Sequence, residues 1–340
     1  MMVLAPFSWI FMILIWCRNL LFDHGFFKAK RLPGFVISIG NIAVGGTGKS
    51  PLAIDFCRRI IASGGTPAIV TRGYRSGLTG AEWQVLKNGR VIMGTSRPRV
   101  QADEARMQSL ALMDVPVIVG ARRHQAVQKF LTEYKGKKIS HWILEDGFQH
   151  RSIFRDVDVV VLDARTPSGF LIPAGFFREP ASSLARANIA VLTKAENDIQ
   201  VQAAKGLLHR LAPKCDVLMA ALDAQAPVCR HGSRDAIEPV QSSRWAMIAS
   251  ISRPEDFAAS LGKQGIIPVE TFIYQDHCSI NLDEIISAKD RFDLVITTEK
   301  DWARDEAKFR AVGLPIYVLP LSVRWQVGPP SNGLFGATGG

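Results

Sequence analysis

The chain has no C-x-x-C pair, and its five cysteines (Cys17, Cys57, Cys215, Cys229 and Cys278) are odd in number and scattered, so neither a disulfide framework nor a zinc site is supported. That usage points to a reducing compartment for the folded part. A zinc finger, a long basic helix and an RNA-binding aromatic signature are also missing, which sets nucleic acid aside from the partners that a net charge of +10 favours. Phosphorylated substrates and acidic lipid surfaces remain. Internal repeats and low-complexity segments are absent too, so 340 residues predict two domains of ordinary size, each with its own core.

Polar residues are scarcest at the N-terminus. Met1 to Cys17 has Ser8 as its one polar side chain, and Arg18-Asn19 interrupts before Leu20-Leu21-Phe22. As a helix, these seventeen residues reach about 25 Å, the short edge of what spans a hydrocarbon core. Arg18, Lys28, Lys30 and Arg31 follow the run and no basic side chain precedes it, the reverse of a signal peptide, so the positive-inside rule keeps the main body cytoplasmic. Residues 1–31 therefore read as a membrane-associated helix with a basic flank, a buried core helix being the alternative.

Beyond this segment, short Val/Ile-rich runs at 35–39, 68–71, 116–119, 142–144, 157–162 and 189–192 alternate with helix-like stretches. Strands apolar on both faces predict an α/β fold, a P-loop-type mostly parallel sheet with helices on both faces. Residues 83–93 read as an inserted β-hairpin, with Asn88-Gly89 as its two-residue turn. A second series at 246–251, 267–274, 294–297 and 316–319 predicts a smaller α/β lobe. The expected division is a core over 32–224, a linker over 225–244, the second lobe over 245–325, and a disordered Gly/Pro-rich tail over 326–340. Ligands of such sheets gather at the carboxyl ends of the strands, here in a cleft between the lobes.

One missing glycine marks the most informative stretch. The run at 35–39 leads into Gly40-Asn-Ile-Ala-Val-Gly-Gly-Thr-Gly-Lys-Ser-Pro51, where Ala43 stands in place of the first glycine of G-x-x-x-x-G-K-[ST]. Gly45 and Gly46 supply backbone freedom nearby. Ala43, Val44, Gly45, Gly46, Thr47 and Gly48 form the candidate phosphate cradle, Lys49 reaches the β/γ-phosphates, and Ser50 offers a hydroxyl to Mg²⁺. A plain glycine turn between strand and helix is the bland counterpart.

Phosphoryl transfer also needs a metal carboxylate, and Glu145-Asp146 end the apolar run at 142–144, although alone they would simply terminate a strand. Asp103-Glu104, from spacing alone, are an ordinary acidic helix start. His277 closes an expected strand at the cleft, where an imidazole can pair with a carboxylate to take a hydroxyl proton; a solitary surface histidine gives the same pattern. Arg122-Arg123 and Arg178-Glu179-Pro180 either grip phosphate or are solvated surface charge.

Together these motifs resemble the tetraacyldisaccharide 4′-kinases of the lipid A pathway of Gram-negative bacteria. The resemblance runs to about Pro320 and rests on the glycine loop with Thr71-Arg-Gly-Tyr74, Asp103-Glu104, Glu145-Asp-Gly-Phe-Gln-His150, Pro173-Ala-Gly, Arg178-Glu179, Asp276-His277 and Thr298-Glu-Lys-Asp301, in family order. It implies transfer of the ATP γ-phosphate, with Mg²⁺, to the 4′-hydroxyl of a lipid-linked disaccharide 1-phosphate at the cytoplasmic face of the inner membrane. It further implies Asp103 as general base with His277 as its partner, and Glu104, Arg123, Arg178, Gln149 and His150 near the reacting groups, with Glu179 beside the substrate. Ser50, Asp146 and Glu145 would serve the metal. Three departures stand out: Glu145 where the family commonly has Asp, Cys278 where a second His is common, and Ser50 for the commoner Thr. The rival reading, a membrane-associated P-loop switch ATPase, needs a lysine ahead of the glycine pair, and Val44 occupies that position.

Overall fold

Unbroken apolar runs demand burial on both faces, and they are found at the centre of the molecule. The computed structural model describes residues 5–74, 76–95, 102–232, 243–328, 330 and 334–335. Its first half contains α1 (Ala5–Asp23), β1 (Phe35–Gly40), α2 (Lys49–Ala62), β2 (Pro67–Thr71), β3 (Gln84–Lys87), β4 (Arg90–Gly94), α3 (Asp103–Ala111), β5 (Val117–Val119), α4 (Arg123–Glu133) and β6 (His141–Glu145). Then follow β7 (Val157–Asp163), β8 (Ile189–Thr193), α5 (Asp198–Leu211), β9 (Asp216–Ala224), β10 (Val228–His231), β11 (Trp245–Ala249), α6 (Pro254–Lys263), β12 (Glu270–Ile273), α7 (Leu282–Ser287), β13 (Leu294–Thr298), α8 (Glu299–Ala311), β14 (Ile316–Leu319) and β15 (Leu321–Val327).

The larger sheet runs β15-β9-β8-β7-β1-β6-β2-β5-β3-β4 and is parallel from β9 to β5. Antiparallel strands close both edges, β15 on β9 and the β3–β4 hairpin on β5. The hairpin turns on Asn88 (φ 49) and Gly89 (φ 70), the paired left-handed residues of a tight two-residue turn. The smaller sheet, β10-β14-β13-β11-β12, has buried clusters on both faces, one around Ile248, Val295 and Phe309, the other around Met247, Leu294 and Ile296.

Three stretches depart from the sequence reading. β10 lies in the expected linker and pairs with β14, while 233–242 fall outside the described residues. β15 lies at the end of the range expected for the second lobe, yet it returns to the larger sheet; its alternating Val323 and Trp325 pack on the core behind α2, and Trp325 Nε1 donates to Asp55 at 3.1 Å. Phe335, in the expected disordered tail, is buried against Phe56 with ring centroids 5.1 Å apart; most of that tail lies outside the described residues. One aromatic ring, among glycines, has a core to reach.

α1 is long and apolar enough to cross a membrane, by length and composition. One side of it rests on the larger lobe, with Phe11 and Met12 packed on the core and Ser8 Oγ donating to the Leu171 carbonyl at 2.9 Å. Arg18 donates to the Gln149 carbonyl, and Arg151 pairs with Asp23 at 2.6 Å. Phe7, Trp9, Ile10, Ile13, Leu14 and Trp16 are each more than half exposed, so α1 is no core helix.

Candidate active site

Adjacent strand ends assemble the site. β1 and β6 are parallel neighbours with Ile39 opposite Glu145, so the loop after β1 and the acids at the end of β6 emerge side by side. The loop can form because Gly45 (φ 116) and Gly48 (φ 94) adopt backbone conformations that side chains resist. Gly48 also abuts Leu222 of β9, which a Cβ would approach to 2.9 Å, whereas the space beside Gly45 and Gly46 is open. Asn41 Nδ2 donates to Thr47 Oγ1 at 3.1 Å, and Thr193 Oγ1 donates to the Thr47 carbonyl at 3.0 Å. Ala43 bridges Phe177, and Val44 N donates to the Phe176 carbonyl at 2.7 Å, which sets Arg178 beside the loop.

Lys49 and Ser50 open α2 and face the acids. Ser50 Oγ donates to Glu145 Oε1 at 3.2 Å, and Thr71 Oγ1, at the end of neighbouring β2, donates to Oε2 at 2.9 Å. Asp146 (φ 49) has its carbonyl 3.1 Å from both terminal nitrogens of Arg123, and its carboxylate lies 2.7 Å from Arg178 and 3.5 Å from Lys49. Burial alone would raise Asp146, but Lys49 and Arg178 outweigh it and hold the carboxyl below its ordinary range.

Glu145 goes the other way. Burial, then the nearby carboxylates Glu104 and Asp146, push it up to about 7 against the pull of Lys49 and the Thr71 hydrogen bond. A buried carboxylate short of positive charge, a neighbouring hydroxyl, and an Asp146 Oδ1 that is buried without a hydrogen bond make a hard oxygen set that fits Mg²⁺. Among the described residues no three His, Cys, Asp or Glu side chains are arranged to hold a metal ion by themselves, so phosphate and water oxygens would complete such a shell.

Because the folded carboxyl of Glu145 sits above its unfolded value of 4.5, its contribution to stability is fully present below that pH and is lost as pH rises through about 7. In chelator, Glu145→Gln should therefore be more stable than wild type at pH 8, by at most roughly 3 kcal/mol, with the gap closing towards acid pH. Thermal unfolding across pH checks this; a gap independent of pH defeats it.

The second lobe supplies the other half. His277 (φ 63) follows β12, with Nδ1 3.1 Å from Asp103 Oδ2 at the start of α3, so two residues 174 positions apart meet across the lobes. Ser250 Oγ lies 2.7 Å from the carbonyls of both Gln275 and Cys278 and so fixes the turn that carries the imidazole. Tyr74 meets the ring edge-on at 5.7 Å. A pocket lined by Thr71, Gly73, Tyr74, Asp103, Glu104 and His277 joins this pair to the Thr71–Glu145–Ser50 chain. Arg106 of α3 ties the lobes by donating to the Ala303 carbonyl and pairing with Glu306.

The remaining expected residues sit further back. Gln149 Nε2 donates to the Asn41 carbonyl at 2.8 Å. His150 is driven down to about 3 by burial and then by Arg123, Arg155, Arg18 and Arg72, so it is neutral at physiological pH. Glu179 is fully buried and paired at 2.7 Å with Arg186, the last residue of the 181–186 turn. Thr71, Ser250, Lys300 and Arg304 also touch the site without being sequence candidates; Thr71 and Lys300 lie within the motifs quoted above, whereas nothing local in the sequence marks Ser250 or Arg304.

A glycine loop at a parallel strand end, with acids on the adjacent strand and an acid–imidazole pair shared between lobes, defines a P-loop phosphotransferase. The family model described as tetraacyldisaccharide-1-P 4′-kinase matches residues 1–332. Proteins named tetraacyldisaccharide 4′-kinase match from Chlorobium luteolum (32% identity, over 90% of this chain and 87% of that protein) and from Chlorobaculum parvum (35%, 89% and 83%). The solved structure of LpxK from Aquifex aeolicus in complex with ATP shares the fold, with a TM-score of 0.74 at 23% identity over 95% of this chain and 94% of that one. This chain belongs to the tetraacyldisaccharide-1-P 4′-kinase family.

Proposed function

We propose that the protein transfers the γ-phosphoryl group of ATP to the 4′-hydroxyl of a tetraacyldisaccharide 1-phosphate at the cytoplasmic face of the inner membrane. The observation that carries this reading is the Asp103–His277 contact in a pocket adjoining the Thr71–Glu145–Ser50 chain, because a carboxylate–imidazole pair at that position supports removal of a hydroxyl proton next to the phosphate loop. Asp103 takes the 4′-hydroxyl proton as the 4′ oxygen bonds to the γ-phosphorus and the bond to the bridging oxygen of ADP breaks. Lys49, Arg123 and Arg178 hold positive charge where it develops negative, and Glu104 lines the acceptor side. Mg²⁺, held by Ser50, Asp146 and Glu145, would neutralise phosphate charge. Gln149, His150 and Glu179 shape the wall behind these groups.

The exposed apolar side of α1 suits a lipid surface, and confining enzyme and acyl-chain acceptor to one layer raises their effective concentration. Purified protein with ATP, Mg²⁺ and tetraacyldisaccharide 1-phosphate should give acceptor-dependent transfer of labelled γ-phosphate; hydrolysis of ATP without transfer would sink the proposal. Replacing Trp9, Ile13 and Trp16 with Glu is expected to move the protein from floated vesicles to the soluble fraction. Unchanged flotation would remove α1 from that role.

A further inference from the structure

α8 aims two cations at the acid–imidazole pair. Lys300 Nζ lies 3.1 Å from His277 Nε2 and 3.4 Å from Asp276 Oδ1, and one turn further on Arg304 comes within 3.8 Å of Asp103 Oδ2. The start of α8 is firmly held. Thr298 Oγ1 accepts from Asp301 N at 3.0 Å, Asp301 Oδ2 accepts from Ser250 N at 3.0 Å, and Ser250 secures the His277 turn. Arg304 is itself braced by Asp301 at 2.9 Å and Asp305 at 2.8 Å.

An ammonium has three N–H donors and no acceptor, so the contact between Lys300 and His277 runs one way, with Nε2 accepting. A ring that accepts at Nε2 carries its proton on Nδ1, the atom that faces Asp103. We propose that Lys300 is a positioning residue that fixes His277 as the neutral Nδ1–H tautomer, so that the imidazole donates to Asp103 instead of competing with it. The opposite tautomer would turn a lone pair towards a carboxylate, and an imidazolium would hold a second proton beside the Lys300 charge. The groups facing the ring are Asp103 from α3, Asp276 from its own turn, Lys300 from α8 and the edge of Tyr74, with Arg304 acting through Asp103.

The described contacts of Asp103 fall on Oδ2, which leaves Oδ1 for the acceptor hydroxyl. The tautomer does not depend on what Asp103 does, but its catalytic consequence rests on the base role proposed above.

The test is imidazole ¹⁵N NMR of the full chain in detergent micelles with labelled histidine, the His277 signals assigned by their loss in His277→Gln. Wild type should show a protonated Nδ1 and an accepting Nε2. Lys300→Met, which keeps the apolar stem, should mix or invert that pattern and lower kcat on the order of 10- to 100-fold, with KM for ATP unchanged. Lys300→Arg should restore both. A protonated Nε2 in wild type, or an unaltered pattern in Lys300→Met, overturns the proposal. If the pattern shifts as expected while Asp103→Ala keeps full turnover, the tautomer assignment stands and the base assignment alone fails.

Discussion

Lys49→Ala is expected to lower kcat for acceptor phosphorylation on the order of 10³-fold, the scale of removing one preorganised charge from a transferring phosphoryl group. Lys49 is the first residue of α2, mostly buried, and its nearest charged partner is Asp146. Asp146 keeps Arg178 at 2.7 Å when the lysine goes, so the strand end should hold its shape and the loss should fall on turnover more than on folding. Acceptor-dependent phosphate transfer, read beside thermal unfolding, separates the two. Full transfer activity in this variant would falsify the loop assignment.

Asp103→Ala should cost turnover about 10²- to 10⁴-fold, the usual worth of a positioned general base, with ATP binding retained. Retention is expected because Asp103 touches His277 and Arg304, and neither contacts Lys49, Ser50 or Asp146. Arg304 remains paired with Asp301 and Asp305, so the variant leaves no isolated buried cation. Asp103→Asn, which keeps the shape but accepts a proton poorly, should fall as far as the alanine variant. Turnover near wild type in either would remove Asp103 from the proton-transfer step.

The central strands were legible because burial on both faces leaves an unbroken apolar run, and β1, β6 and β7 lie within a residue or two of their expected limits. β10 and β15 were not, since edge strands face solvent or a single helix and carry polar residues such as Arg230 and Arg324 along their length. The glycine loop, Glu145 and Asp146 stand at strand ends that the apolar runs locate, and β1 and β6 are neighbours in the sheet, whereas spacing leaves Arg123 and Arg178 open between phosphate contact and surface charge. Asp103 and His277 could not be read together, because neither spacing nor charge links residues so far apart, and their pairing came from resemblance to a family. Arg304 had no signal of either kind. It meets Asp103 through the packing of α8 on α3, which only the folded chain defines.

Strand β15 returns to the larger sheet with Leu321 directly opposite Ala224, the last residue of β9. The whole smaller lobe is therefore spliced into what would otherwise be a plain two-strand hairpin. Two residues of turn could close that gap, and the shortened chain would keep the glycine loop, Glu145 and Asp146 while lacking His277, Lys300 and Arg304. Such an excision would separate the lobe that carries the glycine loop and the strand-end acids from the lobe that carries the imidazole, a division that stopping the chain before β15 could not achieve, since that would strip the larger sheet of its own edge.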